Sequence, residues 1–277
     1  MKILQVTDTH LVEHGGTIYG IDPAARLEAC VAHINAHHAD ARFCVLSGDL
    51  TNEGKPAAYR VLKEVLAGLA VPYHLMAGNH DDRAALLAEF PETPRDSNGF
   101  VQYALETPAG RMLVLDTVEP GSHGGSFCPR RCAWLGDQLA AAASDPVYLF
   151  MHHPPFPIGL PSLDRMRLDD PGPFVAAIEA HPNITNIRHI FFGHVHRPVS
   201  GSWRGIAFSA LPSTAHQVAL DLETVSPVPK THEPPAYGVI LIEPEQTLVH
   251  VSAYLNESPI EGAQTPEPPQ SGSKLSR

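Results

Sequence analysis

Asp8-Thr9-His10, Gly48-Asp49, Gly78-Asn79-His80-Asp81, His152-His153 and Gly193-His194-Val195-His196 are short clusters of groups that can hold a metal ion or move a proton. Two carboxylates, one amide oxygen and four imidazoles among them make seven candidate ligands: Asp8, His10, Asp49, Asn79, His152, His194 and His196. Nitrogen and oxygen donors with no thiolate suit Mn, Fe, Co, Ni or Zn. Seven ligands are too many for one such ion. If one carboxylate bridges, they divide into two sets of four, the arithmetic of a two-metal site. Each fragment alone is weak, because Asp-x-His and Gly-Asp recur by chance and a lone His is more often packed or solvated. Their shared position in the chain carries the weight.

That position is the end of a strand. Short β-branched runs alternate with helix-period runs to about residue 195, the pattern of α/β construction. Strands are predicted at 2–6, 42–46, 71–76, 147–151 and 188–192, and each runs into one cluster. Ligands of α/β sheets bind at the carboxyl ends of strands, so five strands deliver polar residues to one rim. Helices are predicted from Pro23, with Asp22 as N-cap, to about His38, and at 57–69, 83–90, 131–143 and 173–181. Segments 100–105 and 111–116 read as an antiparallel pair. After residue 197 the chain turns to strand runs at 199–203, 206–210, 238–242 and 248–254, with a Pro-rich loop at 225–235. From Asn256 apolar periodicity is lost, so residues 1–255 are expected to form one domain and 256–277 a disordered tail.

At these clusters the chain resembles the calcineurin-like metallophosphoesterase superfamily, whose signature D-x-H, G-D, G-N-H-D/E, H and G-H-x-H is present in full between Asp8 and His196. The resemblance implies a four-layered αββα sandwich, here with a strand-rich C-terminal cap region. It implies one metal on Asp8, His10, Asp49 and His196, and a second on Asp49, Asn79, His152 and His194, with Asp49 bridging. Within the superfamily the chain is similar to bacterial class III phosphodiesterases, which include cyclic-nucleotide phosphodiesterases and glycerophosphodiesterases. The further stretches are Ile18-Tyr19-Gly20, Gly78 to Asp82, Met151-His152-His153-Pro154-Pro155, and Leu211 to Gln217. On this likeness His216 and Tyr19 are candidate substrate contacts, beside Asn79 and His80. The segment Gly48-Asp49-Leu50-Thr51-Asn52-Glu53-Gly54 has Glu where the protein phosphatases of the superfamily carry a phosphate-clamping Arg. A protein phosphatase is therefore disfavoured.

The expected reaction is hydrolysis of small phosphodiesters, 3′,5′-cyclic nucleotides such as cAMP or glycerophosphodiesters. Two transition-metal ions (Fe, Mn, Zn or Co) would bridge a hydroxide that attacks phosphorus and absorb developing charge. His80 follows a ligand and is expected to donate to phosphate or protonate the leaving oxygen. The alternatives are a phosphomonoesterase or nucleotidase of the same superfamily and a non-catalytic metal-binding scaffold. Nucleotidase members usually add a large C-terminal domain, and only about 80 residues follow His196. A scaffold should have lost ligands, and none is missing.

Composition narrows the field further. With 43% hydrophobic and 18% charged residues in 277, wholesale disorder is excluded. Nineteen Lys and Arg against 30 Asp and Glu give −11, which argues against stable nucleic-acid binding or docking on an anionic membrane. No apolar run approaches the roughly 18 residues of a membrane span. The N-terminus is too short in apolar residues for a signal peptide before Asp8 and His10, so the cytoplasm is the expected compartment. A homo-oligomer fits the family likeness. Cys30 and Cys44 read as buried thiols, and Cys128 and Cys132 do not make a zinc motif. Of the other histidines, His33 and His37 read as a solvated helix face. His153 is expected to point away from its ligating neighbour, while His14 and His123 lie in Gly-rich loops the sequence does not place.

Overall fold

The computed structural model describes residues 1–181 and 184–255. In chain order the first half runs β1 (Lys2–Val6), α1 (Pro23–His37), β2 (Cys44–Ser47), α2 (Pro56–Leu66), β3 (Tyr73–Met76) and α3 (Arg83–Glu89). The second runs β4 (Tyr103–Thr107), β5 (Gly110–Leu115), α4 (Pro129–Ala142), β6 (Val147–Met151), α5 (Pro161–Asp164), α6 (Gly172–Glu179) and β7 (Ile187–Phe192). Then come β8 (Val199–Trp203), β9 (Ile206–Ala210), β10 (Gln217–Val218), β11 (Lys230–Thr231), β12 (Ala236–Ile242) and β13 (Thr247–Ala253).

Two sheets result, ordered β13-β12-β1-β2-β3 and β4-β5-β6-β7-β9-β8. Pairs β1–β2–β3 and β5–β6–β7–β9 are parallel, so their carboxyl ends share a direction within each sheet. The strand-rich stretch expected as a cap is divided between the sheets. β8 and β9 finish the second, β12 and β13 finish the first, and only the β10–β11 ribbon stands apart. The Pro-rich segment 225–235 is thus loop except for β11, which pairs Lys230 with Val218. The expected tail from Asn256 lies outside the described residues.

Side-chain alternation builds the layers. In β5, Met112 and Val114 join the core shared with β1 and α1, while Leu113 and Leu115 join the core under α4 and α6. β6 repeats this: Tyr148 and Phe150 face inward between the sheets, and Val147, Leu149 and Met151 face the outer helices. Every residue of β6 is buried, which explains its unbroken apolar run. On the opposite flank α1 buries Leu27, Val31 and Ile34, spaced to one helical face. Asp22 caps that helix by accepting from the backbone N–H groups of Ala24 and Ala25, and Pro23 opens it, worth about 1 kcal/mol of helix stability.

Two polar ties lock the sheets together beneath the strand ends. Buried Gln5 donates from Nε2 to Ser47 Oγ on β2 and to Phe192 O on β7, both at 2.9 Å. Tyr103 donates to Leu75 O at 2.8 Å, joining β4 to β3.

Candidate metal centre

Past the ends of β1, β2, β3, β6 and β7 the chain turns sharply, and its polar clusters converge on one cleft. Asp8, His10, Asp49, His194 and His196 all have positive φ, between 44° and 66°. Such backbone is costly for residues with a Cβ and recurs where a side chain must be aimed. Two glycines make the close approach possible. A Cβ on Gly78 would stand 2.2 Å from Asp49 N, and one on Gly193 would stand 2.5 Å from Ser47 O.

Among the described residues two groups of side chains come close enough to share an ion: Asp8, His10, Asp49 and His196, and His152, His153 and His194. In the first, His10 Nε2 and His196 Nε2 are 3.1 Å apart, and His196 Nε2 is 3.3 Å from Asp8 Oδ1. Asp49 reaches both groups. Its Oδ2 lies 3.6 Å from His10 Nε2, and its Oδ1 lies 3.3 Å from His152 Nε2. Asn79 Oδ1 sits 3.0 Å from His194 Nδ1. All seven expected ligands are therefore brought together.

His153 corrects the expectation that it points away. Period-two alternation ends at Met151, and His152-His153 forms a bend that turns both rings to the same side. His153 Nδ1 lies 2.8 Å from Thr117 Oγ1, and its Nε2 is buried without a hydrogen-bond partner.

Backbone carbonyls set the tautomers. A carbonyl only accepts, so His152 Nδ1–H donates to Ser47 O at 2.9 Å and His196 Nδ1–H to His216 O at 2.7 Å. His80 Nδ1–H donates to Asn52 O at 2.7 Å. In each case Nδ1 is committed to a carbonyl, which leaves Nε2 for the site. Asp8 is oriented from three sides. Thr7 Oγ1 donates to its Oδ2 at 2.7 Å, His194 N to its carboxylate at 3.1 Å, and Ser213 Oγ to its backbone O at 2.7 Å.

Burial works against the charge of both carboxylates, yet the facing histidines prevail. His196 and His152 hold Asp8 below the usual carboxylate range, and His152, His80 and His10 do the same for Asp49. Burial also opposes an imidazolium at His152, but Asp49 and Asp8 push it up to about 9. Burial drives His10 and His194 down to about 3, toward the neutral ring that binds metals. His194 Nε2 is a buried nitrogen with no hydrogen-bond partner. Two buried carboxylates, neutral imidazoles and this orphaned nitrogen fit divalent cations.

The remaining residues fall around this centre. The His216 ring packs 4.5 Å from His196 and 5.2 Å from His10, and Tyr19 packs edge-on to His216 at 5.0 Å. The His80 ring lies 4.8 Å from His10, centroid to centroid, and the His80 backbone N–H donates to Asp49 Oδ1 at 2.8 Å. His123 reaches the cleft, with Nδ1 3.4 Å from Asn79 Nδ2. His14 instead pairs with Glu64 at 2.8 Å. His33 is not simply solvated, since its Nδ1 lies 2.8 Å from Tyr237 OH. Cys30 and Cys44 are buried thiols as expected.

Asp81, which closes the Gly78-Asn79-His80-Asp81 cluster, ties together the loops that carry Asp49 and Asn79. It accepts from the N–H groups of Gly78, Leu50 and Thr51 and from Tyr59 OH, buckling the loops after β2 and β3 together. Burial and the nearby Asp49 charge push its carboxyl up to about 6.

Comparison with known proteins agrees with this geometry. The chain is 43% identical to a probable cyclic nucleotide phosphodiesterase of Rhodopseudomonas palustris, over 94% of this chain and 95% of that one. It is 32% identical to a glycerophosphodiester phosphodiesterase of Enterobacter lignolyticus, over 82% of each. The fold matches purple acid phosphatase from yellow lupin with a TM-score of 0.64 at 11% identity, over 93% of this chain and 52% of that one. Among the described residues no helix is long and apolar enough to cross a membrane. The family profile of calcineurin-like phosphoesterases matches residues 1–198, and the chain belongs to that family.

Proposed function

We propose that the protein hydrolyses small phosphodiesters, 3′,5′-cyclic nucleotides or glycerophosphodiesters, at a dinuclear metal centre. Asp8, His10, Asp49 and His196 would hold one ion, and Asp49, Asn79, His152 and His194 the other. The observation that carries this reading is the position of Asp49, whose two carboxylate oxygens face His10 and His152, members of the two different ligand sets. The names of the relatives from Rhodopseudomonas palustris and Enterobacter lignolyticus support the diester class. Two bound cations would neutralise phosphoryl oxygens and acidify the attacking water.

The chain's own residues do the rest. Asn52 O accepts from Nδ1–H of His80 and leaves Nε2 for the cleft, where, when it also carries a proton, it donates to phosphate or gives that proton to the leaving oxygen. His216 and Tyr19 form the wall the rest of the substrate meets. With −11 net charge the protein is poorly suited to hold nucleic acid, and its substrates are small soluble diesters.

The test is reconstitution with Mn²⁺ and measurement of kcat/KM for 3′,5′-cyclic AMP and glycerophosphoethanolamine in one assay. Turnover of at least one diester is expected. Two bound ions per chain with no diester cleaved would contradict the reading.

A further inference from the structure

Beyond the ligands, one wall of the cleft is built outward in steps. His216 packs on His196, Tyr19 packs edge-on to His216, and Lys230 Nζ sits 4.7 Å from the centre of the Tyr19 ring. Tyr19 is 56% exposed, and Lys230 is exposed as well. The ribbon that carries Lys230 is anchored to the site. Val218, its cross-strand partner, donates from its N–H to His196 O at 3.2 Å. Arg197 Nη1 donates to Val218 O at 3.0 Å and pairs with Glu233 at 3.1 Å. Lys230 is thus a positioned cation on the mouth of the cleft.

Among the described residues Lys230 has no ion pair, whereas Arg197 is matched by Glu233. Across the mouth Glu53 is matched by Lys55, and Asp82 accepts from Ala85 N as the cap of α3. In a chain of net charge −11, this wall presents a positive charge held over a half-exposed aromatic ring.

We propose that Lys230 is a specificity-determining residue that disfavours phosphodiesters bearing a cationic head group and so directs the enzyme toward cyclic nucleotides. The inference rests on the diesterase reading above. A quaternary or primary ammonium entering over Tyr19 meets the Lys230 charge at short range. The base of a cyclic nucleotide carries no positive charge at neutral pH and so meets no such repulsion.

The experiment compares kcat/KM for glycerophosphoglycerol and glycerophosphocholine, which share the glycerol and the diester and differ in head-group charge, with 3′,5′-cyclic AMP as a third substrate. In the metal-loaded wild type, glycerophosphoglycerol is expected to be favoured over glycerophosphocholine by about tenfold, and the preference for cyclic AMP over glycerophosphocholine to fall with Lys230→Glu in step with it. Lys230→Glu is expected to shift the ratio toward glycerophosphocholine by about five- to tenfold, and Lys230→Met by about half that in logarithmic terms. Each ratio is taken within one preparation, so a reduced active fraction cancels. Arg204→Glu, on the β8–β9 turn, is expected to leave the ratio unchanged. Raising salt from about 20 mM to about 500 mM is expected to shrink the wild-type preference, as screening requires. Diester cleavage with a ratio insensitive to both Lys230→Glu and salt would overturn the assignment of Lys230. Cleavage of none of the three with both ions bound would instead overturn the diesterase reading.

Discussion

The two ends of the sheets make an instructive contrast. At the carboxyl ends of β1, β2 and β7, five candidate ligands are among the eight non-glycine residues with positive φ in the described residues. The cavity beside them, lined by Asn52, Glu53, Asn79 and His80, holds about 510 Å³. At the opposite end a larger cavity of about 770 Å³ lies between the sheets, lined by Thr107, Pro146, Arg188, His189 and Glu243. There His189 is already committed, its Nε2 2.9 Å from Ser209 Oγ and its ring stacked on Phe191. Volume marks the wrong end. What marks the functional end is backbone held in costly conformations, of order 1–3 kcal/mol per residue, so that acids and imidazoles face one another.

The largest test of this contrast is Asp49→Ala. Turnover is expected to fall by more than about 10³, and elemental analysis to find fewer than two ions per chain. Two retained ions would break the bridging assignment. Next comes His80→Ala, for which turnover is expected to drop by about 10²–10⁴ with metal content intact. Unchanged turnover would remove His80 from the chemistry.

The far end should answer through stability alone. Burial pushes His189 down to about 4 from an ordinary value near 6.5. Below pH about 6.5 the unfolded chain binds a proton that the folded chain excludes, so stability is full above that pH and is lost as pH falls toward 4. The share of this loss that belongs to His189 is on the order of 3 kcal/mol, read as the amount by which His189→Asn reduces the difference between urea unfolding at pH 7 and at pH 4. A slope untouched by that substitution would contradict the account. Smallest of all is Arg188→Ala, expected to leave unfolding within about 0.5 kcal/mol and turnover within about twofold of wild type. A large loss of turnover there would mean that the larger cavity takes part in function.

Much of this was legible in the residues. β6, β8 and β9 begin and end where their apolar or β-branched runs do, and α1 is announced by Asp22 and Pro23. The seven ligands were visible because polar residues closing buried strands are conspicuous. Long-range pairing was not legible. Nothing local in β12 says that it returns to lie beside β1, since antiparallel pairing across most of the chain leaves no short-range signature. Gln5, which ties the sheets, looks like any polar residue in a strand. Asp81 and Lys230 take their meaning from neighbours distant in sequence, Leu50 and Thr51 for one and Tyr19 for the other. His153 defied the alternation rule because the strand had already ended.

The most direct test of the central claim is anomalous diffraction from crystals grown with Mn²⁺. Two peaks about 3.5–4 Å apart are predicted, with Asp49 contributing a carboxylate oxygen to each. A single peak, or two peaks of which only one touches Asp49, would contradict a dinuclear centre bridged by that residue.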